Sequence, residues 1–123
     1  MAGANLSPIE KILEKRKETK NLPFRIYEKI FDLGVYKTAE LFEIKPDEAV
    51  KLIIRVARKN NETDKLQDLS DRKKISVICD KIQEMRTFST GKIYEECKDF
   101  AETWEIVIAK RILKQKMKQE HWQ

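Results

Sequence analysis

The sequence predicts an all-α fold, a trihelical unit followed by a long antiparallel helical hairpin. Three observations carry that expectation. Only three glycines and three prolines punctuate 123 residues, too few for strands joined by tight turns but enough for helices joined by short links. Apolar residues recur at spacings of three and four along most of the chain, the period of a helix with one buried face. The breaks in that period coincide with residues that start and stop helices.

Ser7-Pro8-Ile9-Glu10 opens the first helix: the serine caps it, the proline suits the first helical position, and the glutamate can return the cap's hydrogen bond. With only Ile9, Ile12 and Leu13 apolar, this helix is expected to lie on the surface and to end near Lys20. Pro23 opens a second helix that turns Phe24, Tyr27, Ile30 and Phe31 inward and stops at Gly34. A short helix over about Lys37 to Glu43 and a longer one from Pro46 to Lys59 follow, the latter ended by Asn60-Asn61-Glu62. Ser70 caps a helix reaching about Arg86, with Ile75, Ile78, Cys79, Ile82 and Met85 on one face.

Beyond a break at Thr87 to Gly91, Ile93, Cys97, Phe100, Trp104, Val107 or Ile108, and Ile112 recur with no intervening glycine or proline, which predicts one long helix from Lys92 to about Met117. The last two helices would form the hairpin. Cys79 and Cys97 fall equally far from its turn, which leaves open either two small buried apolar side chains or a facing pair of thiols. The length suits one cooperative unit of two sub-modules: residues 1–60, a polar linker at 61–69, the hairpin at 70–118, and a tail at 119–123.

Composition excludes several functions. No apolar run of about 18 residues could span a membrane, and the N-terminus lacks a secretory signal's basic-then-apolar pattern, so the expected location is the cytoplasm with no membrane partner. The one histidine, His121, lies in the tail, and the two cysteines are not spaced like zinc ligands. The pairs Glu95-Glu96 and Asp47-Glu48 are adjacent in sequence and so do not share a helix face. Thr90-Gly91-Lys92 lacks the surrounding glycines of a phosphate-binding loop. No enzyme is therefore expected, with no catalytic residue, metal, cofactor or small-molecule substrate.

The net charge of +5 is compatible with a polyanionic partner. Residues 1–60 hold 13 basic and 9 acidic residues against 13 and 12 in the remainder, so the excess lies in the first sub-module. Lys51, Arg55, Arg58 and Lys59 recur along one polar face of a helix, with Lys37 and Lys45 nearby, and such a stripe can neutralise phosphates. The C-terminal run from Lys110 to Lys118 carries five basic residues and no acid. Its Lys110, Arg111 and Lys114 either offset a helix dipole or touch a phosphate backbone.

The segment from Thr38 to Ile53 resembles a helix-turn-helix, and the resemblance extends over residues 24–59. In that family a small residue such as Ala39 lets the second helix cross closely, a tight turn follows four residues later, and Ile44, Ala49 and Leu52 close a small core. The resemblance implies binding to double-stranded DNA through the second helix. The chain departs from it where Glu43 occupies the usual glycine position and Pro46-Asp47-Glu48 opens the helix that would read bases. A second, local likeness joins residues 89–97, Ser89-Thr90-Gly91-Lys92-Ile93-Tyr94-Glu95-Glu96-Cys97, to the Thr-Gly-x-x-Tyr helix start in the winged-helix domain of archaeal origin-recognition replication initiators.

The expectation drawn from the sequence is a DNA-binding homodimer, a transcriptional regulator or a replication or partition factor. Its contacts would be Lys37, Lys45, Lys51, Arg55, Arg58, Lys59, Lys110, Arg111 and Lys114, and its dimer anchors Phe100, Trp104 and Ile108. The alternative is a small helical adaptor or subunit that binds a protein partner, which the acidic Asp47 and Glu48 favour.

Overall fold

A computed structural model describes the backbone of residues 8–121 and the side chains of residues 22–120. It is all-α, with six helical elements and no strand among the described residues. They are α1 (Pro8–Leu41), α2 (Pro46–Lys59), a 3-10 helix (Thr63–Leu69), α3 (Arg72–Met85), α4 (Thr90–Cys97) and α5 (Thr103–His121). The serine cap expected at Ser7 lies outside the described residues.

Three helices were expected where α1 runs as one element. Pro23 sits inside it, forfeiting its own hydrogen bond to the preceding turn without ending the helix. The real interruption is Gly34, whose φ of 84° and ψ of 168° kink the helix in a conformation open to glycine alone. Ile26, Tyr27 and Ile30 before the kink and Val35, Thr38 and Ala39 after it are buried. Phe24, expected inward, is 52% exposed.

Between α1 and α2 the chain turns over Phe42 to Lys45. The Ile44 amide donates to the Ala39 carbonyl at 3.0 Å and the Glu43 amide to the Glu40 carbonyl at 3.1 Å, closing the end of α1 around a left-handed Glu43 (φ 55°). Pro46 then starts α2, which buries Ala49, Val50, Ile53, Ile54 and Ala57 on one face. Small residues on both sides, Ala39 and Ala49, let the two helices approach.

Residues 61–69, expected as a linker, hold the 3-10 helix, which packs against α1, α2, α3 and α5. Its polarity hides a fully buried Leu66 and a buried Thr63, and the preceding Glu62 carboxylate accepts a hydrogen bond from the Tyr27 hydroxyl of α1. The cap of α3 also differs from expectation. Asp71 accepts from the Lys73 amide at 2.8 Å, whereas the Ser70 hydroxyl donates to the Glu105 carboxylate on α5.

The long helix expected from Lys92 to Met117 is two helices, α4 and α5, separated by Lys98 to Glu102. Backbone bonds explain the break without glycine or proline. The amides of Phe100 and Ala101 both fold back on the Cys97 carbonyl, at 3.0 and 2.8 Å, and end α4. Glu105, in the first turn of α5, then accepts from the Glu102 amide at 3.0 Å and starts the next helix, as the glutamate of a capping box does.

α5 packs against α2, α3, α4 and the 3-10 helix. One apolar core therefore draws on every element, with Ile26, Ile53, Leu66, Ile78, Ile93 and Ile108 fully buried. Cys79 and Cys97 are free thiols: Cys97 is buried in that core, and the Cys79 sulfur lies 3.6 Å from the Ala109 carbonyl oxygen. Burial pushes both thiols above their ordinary pKa. No helix among the described residues is long and apolar enough to cross a membrane.

Candidate nucleic-acid interface

The polar face of α2 follows from its buried one. With Ala49, Val50, Ile53, Ile54 and Ala57 inward, Lys51, Arg55, Arg58 and Lys59 are left exposed. Arg58 and Lys59 stand in the last turn, where their charge also offsets the helix dipole, while Asp47 and Glu48 do the same in the first. Lys45 and Lys37 are exposed as well, but on the turn and on α1. From Lys45 to Arg58 is about 20 Å along a helix axis, so the cations belong to two separate regions.

α5 brings the C-terminal basic run to the α2 end of this surface. Arg111 is half-buried, and its guanidinium is pushed to a lower pKa by that burial and by the neighbouring charge of Arg58. Lys110 is pushed down by burial and by Lys114 and Arg111, and its ammonium donates to the Thr90 hydroxyl at 2.7 Å. The Lys114 ammonium lies 5.1 Å from the centroid of the Phe88 ring, a cation–π contact at the base of α4. Arg58 and Arg111 are thus the meeting point of a basic cluster from two helices distant in sequence, with Lys110 and Lys114 beside Arg111 on α5 and turned toward Thr90 and Phe88.

Ion pairs among the described residues do not neutralise this basic cluster. They join Lys65 to Glu62, Arg72 to Asp68, Lys74 to Glu105, Lys81 to Glu84 and Lys98 to Glu95, and none uses any of the nine basic residues singled out from the sequence. Beside the cluster, Arg55 and Lys59 line a groove of about 320 Å³ whose apolar wall is Pro23, Phe24 and Val56. This explains why Phe24 is exposed: it borders that groove instead of entering the core.

Two of the three expected dimer anchors lie elsewhere. Ile108 is fully buried and Trp104 is 6% exposed, both within the chain's own core, and only Phe100 reaches the surface. Helical periodicity reveals that such residues are buried but not whether the covering atoms belong to the same chain. Trp104 packs edge-to-face on Tyr36, with centroids 6.0 Å apart and rings at 87°. The sequence reading missed Tyr36, which the Gly34 kink brings to α5, and Glu105, whose position three residues after Glu102 is the available signal of a helix start. No group of three or more His, Cys, Asp or Glu among the described residues is placed to hold a metal ion.

Fold and surface together define an all-α protein with a basic face assembled from two helices that are not consecutive. No family model, curated protein or solved structure matches the chain.

Proposed function

We propose that the chain binds double-stranded DNA through a helix-turn-helix formed by the second part of α1 and by α2. In this reading Lys51, Arg55, Arg58 and Arg111 contact the phosphate backbone. The observation that carries it is the exposed basic face of α2, Lys51, Arg55, Arg58 and Lys59, with Arg111 of α5 near Arg58, at a surface where no carboxylate pairs with them among the described residues. Like charges brought together cost free energy, and a polyanion recovers it by displacing the small ions otherwise condensed on its own backbone.

Local geometry supports the same reading. Glu43 adopts the left-handed conformation for which glycine is usual in that turn, and Ala39 and Ala49 are buried where the two helices approach. Asp47 and Glu48 at the start of α2 disfavour close approach of that turn to the groove. Contact is therefore centred on the C-terminal half of α2 and the middle of α5. Regulation of transcription, replication or partition is compatible with such a contact. A two-fold arrangement of chains is not part of the reading, because Trp104 and Ile108 are already covered.

Fluorescence anisotropy of a random-sequence duplex, titrated with the protein at low and physiological salt, tests it. Binding that weakens steeply with salt, and that is lost in a folded Arg55→Glu/Arg58→Glu variant, is the expected result. Failure of the folded wild-type protein to bind at low salt overturns it. The adaptor alternative is favoured by one observation, the exposed aromatic pair Tyr36 and Phe100 on the α1–α5 side of the molecule.

A further inference from the structure

We propose that the hollow between the second part of α1 and the start of α5 binds the side-chain cation of a lysine or arginine presented by a partner polypeptide. The inference is independent of the DNA reading. The hollow measures about 360 Å³ and has three aromatic walls, Tyr36, Phe100 and Trp104. Tyr36 and Trp104 meet at 87°, forming a corner, and Tyr36 and Phe100 remain 54% and 42% exposed at its mouth. Phe100 is held in this position by its amide, which bonds the Cys97 carbonyl at 3.0 Å.

Charge decides what such a box accepts. Asp99, Glu102 and Glu105 line it, against Lys74 and Lys98. Both lysines are already engaged, Lys74 with Glu105 and Lys98 with Glu95, each at 3.3 Å. Glu105 is committed further to Ser70 and to the Glu102 amide. Two carboxylates are left for a ligand: Asp99, with no ion pair among the described residues, and Glu102, whose only described side-chain bond is from the Trp104 indole.

Aromatic faces with negative quadrupoles beside carboxylates attract an ammonium or guanidinium and repel phosphate or carboxylate ligands. The stem of a lysine or arginine can lie along the rings while its head reaches Asp99 and Glu102. Because the mouth opens at exposed rings, the partner's backbone stays outside. The site lies away from the basic cluster, since Trp104 and Arg111 are about 10 Å apart along α5.

The test is a heteronuclear NMR titration of the full chain with three Gly/Ser-rich peptides that differ at one central residue: arginine, norleucine or glutamate. N-acetylarginine amide serves as the isolated side chain. Shifts of the Trp104 indole N–H and of the Asp99 and Phe100 amides are expected with the arginine peptide alone. Two variants at exposed positions, Asp99→Asn and Phe100→Leu, should each weaken it about three- to fivefold with the wild-type fold retained by circular dichroism. Arg55→Glu/Arg58→Glu should leave it unchanged, which keeps this outcome distinct from the DNA test. Equal response to norleucine, a response to glutamate, or no response to arginine at millimolar peptide overturns the proposal. So does failure of N-acetylarginine amide to compete with the arginine peptide, since the backbone is expected to stay outside and the side chain to carry the binding.

Discussion

The Lys74 ammonium lies 3.3 Å from the Glu105 carboxylate, whose side chain is only 4% exposed, and the pair ties α3 to the first turn of α5. The same carboxylate accepts from Ser70 and from the Glu102 amide, so one side chain joins three segments and starts α5.

Replacing Glu105 with alanine is therefore expected to destabilise the fold by about 3 kcal/mol, since it removes the ion pair, a hydroxyl bond and a backbone cap together. Chemical denaturation measures it. A loss below about 0.5 kcal/mol would show that the network contributes little. Lys74, one-third exposed, can return its charge to water, so the cost arises from the lost bonds and not from a stranded cation.

The backbone makes two predictions of opposite sign. Gly34→Ala should cost about 1–3 kcal/mol although an added Cβ meets nothing within 4 Å, because φ of +84° with ψ of 168° is strained for any other residue. Glu43→Gly should stabilise by about 1 kcal/mol, since Glu43 holds a left-handed φ of 55° that glycine adopts freely. Thermal unfolding of the two variants beside wild type checks both signs. A stabilised alanine variant or a destabilised glycine variant would contradict the described turn and kink.

These two positions also show what the sequence made legible. A helix break at Gly34 and a turn at Glu43 could be read directly, because each interrupts an apolar period at a residue type or offset with a known backbone role. The division into α4 and α5 could not, since it rests on amides folding back to one carbonyl, at Cys97, with no glycine or proline to announce it. Leu66 was hidden for a similar reason: Leu66 and Leu69 are the only apolar residues of a seven-residue element, too few to show a period. Among the candidate contacts, the α2 stripe of Lys51, Arg55 and Arg58 was visible as spacing, but its meeting with Arg111 depends on tertiary packing of α5. Trp104 and Ile108 mark another limit: their spacing announces burial, and both are buried within the chain's own core, but a helical period does not name the atoms that cover it.

Tyr27 and Glu62 give the fold a pH dependence. The Tyr27 hydroxyl bond lowers the Glu62 pKa, assisted by Lys65, against a smaller opposing effect of burial. Glu62 is thus easier to ionise folded than unfolded. Its contribution is present above the unfolded carboxylate range and is lost as pH falls through the folded value. Tyr27, pushed upward by burial and by Glu62, stays protonated throughout. A Tyr27→Phe variant should be less stable than wild type at pH 7, with a difference that shrinks below about pH 4. Melting temperatures of the two proteins across that range measure it, and a difference that grows on acidification would reverse the assigned direction.

The DNA reading makes a quantitative claim about salt that separates phosphate contact from mere solubility. If Arg58 and Arg111 each meet a phosphate, removing either with alanine lowers the slope of log affinity against log salt by about one. Affinity should fall by a similar factor for every duplex sequence, because phosphate contacts position the protein without reading bases. Lys37→Ala, on α1 and away from the cluster, should change the slope by much less. The double Arg58→Ala/Arg111→Ala variant should lose slightly less affinity than the two single losses combined, since either single substitution already removes the repulsion that binding relieves and the sum counts it twice. Equal slopes for wild type and all three single variants would mean that these cations are only a solvated surface, and the basic cluster would then need another anion as its partner.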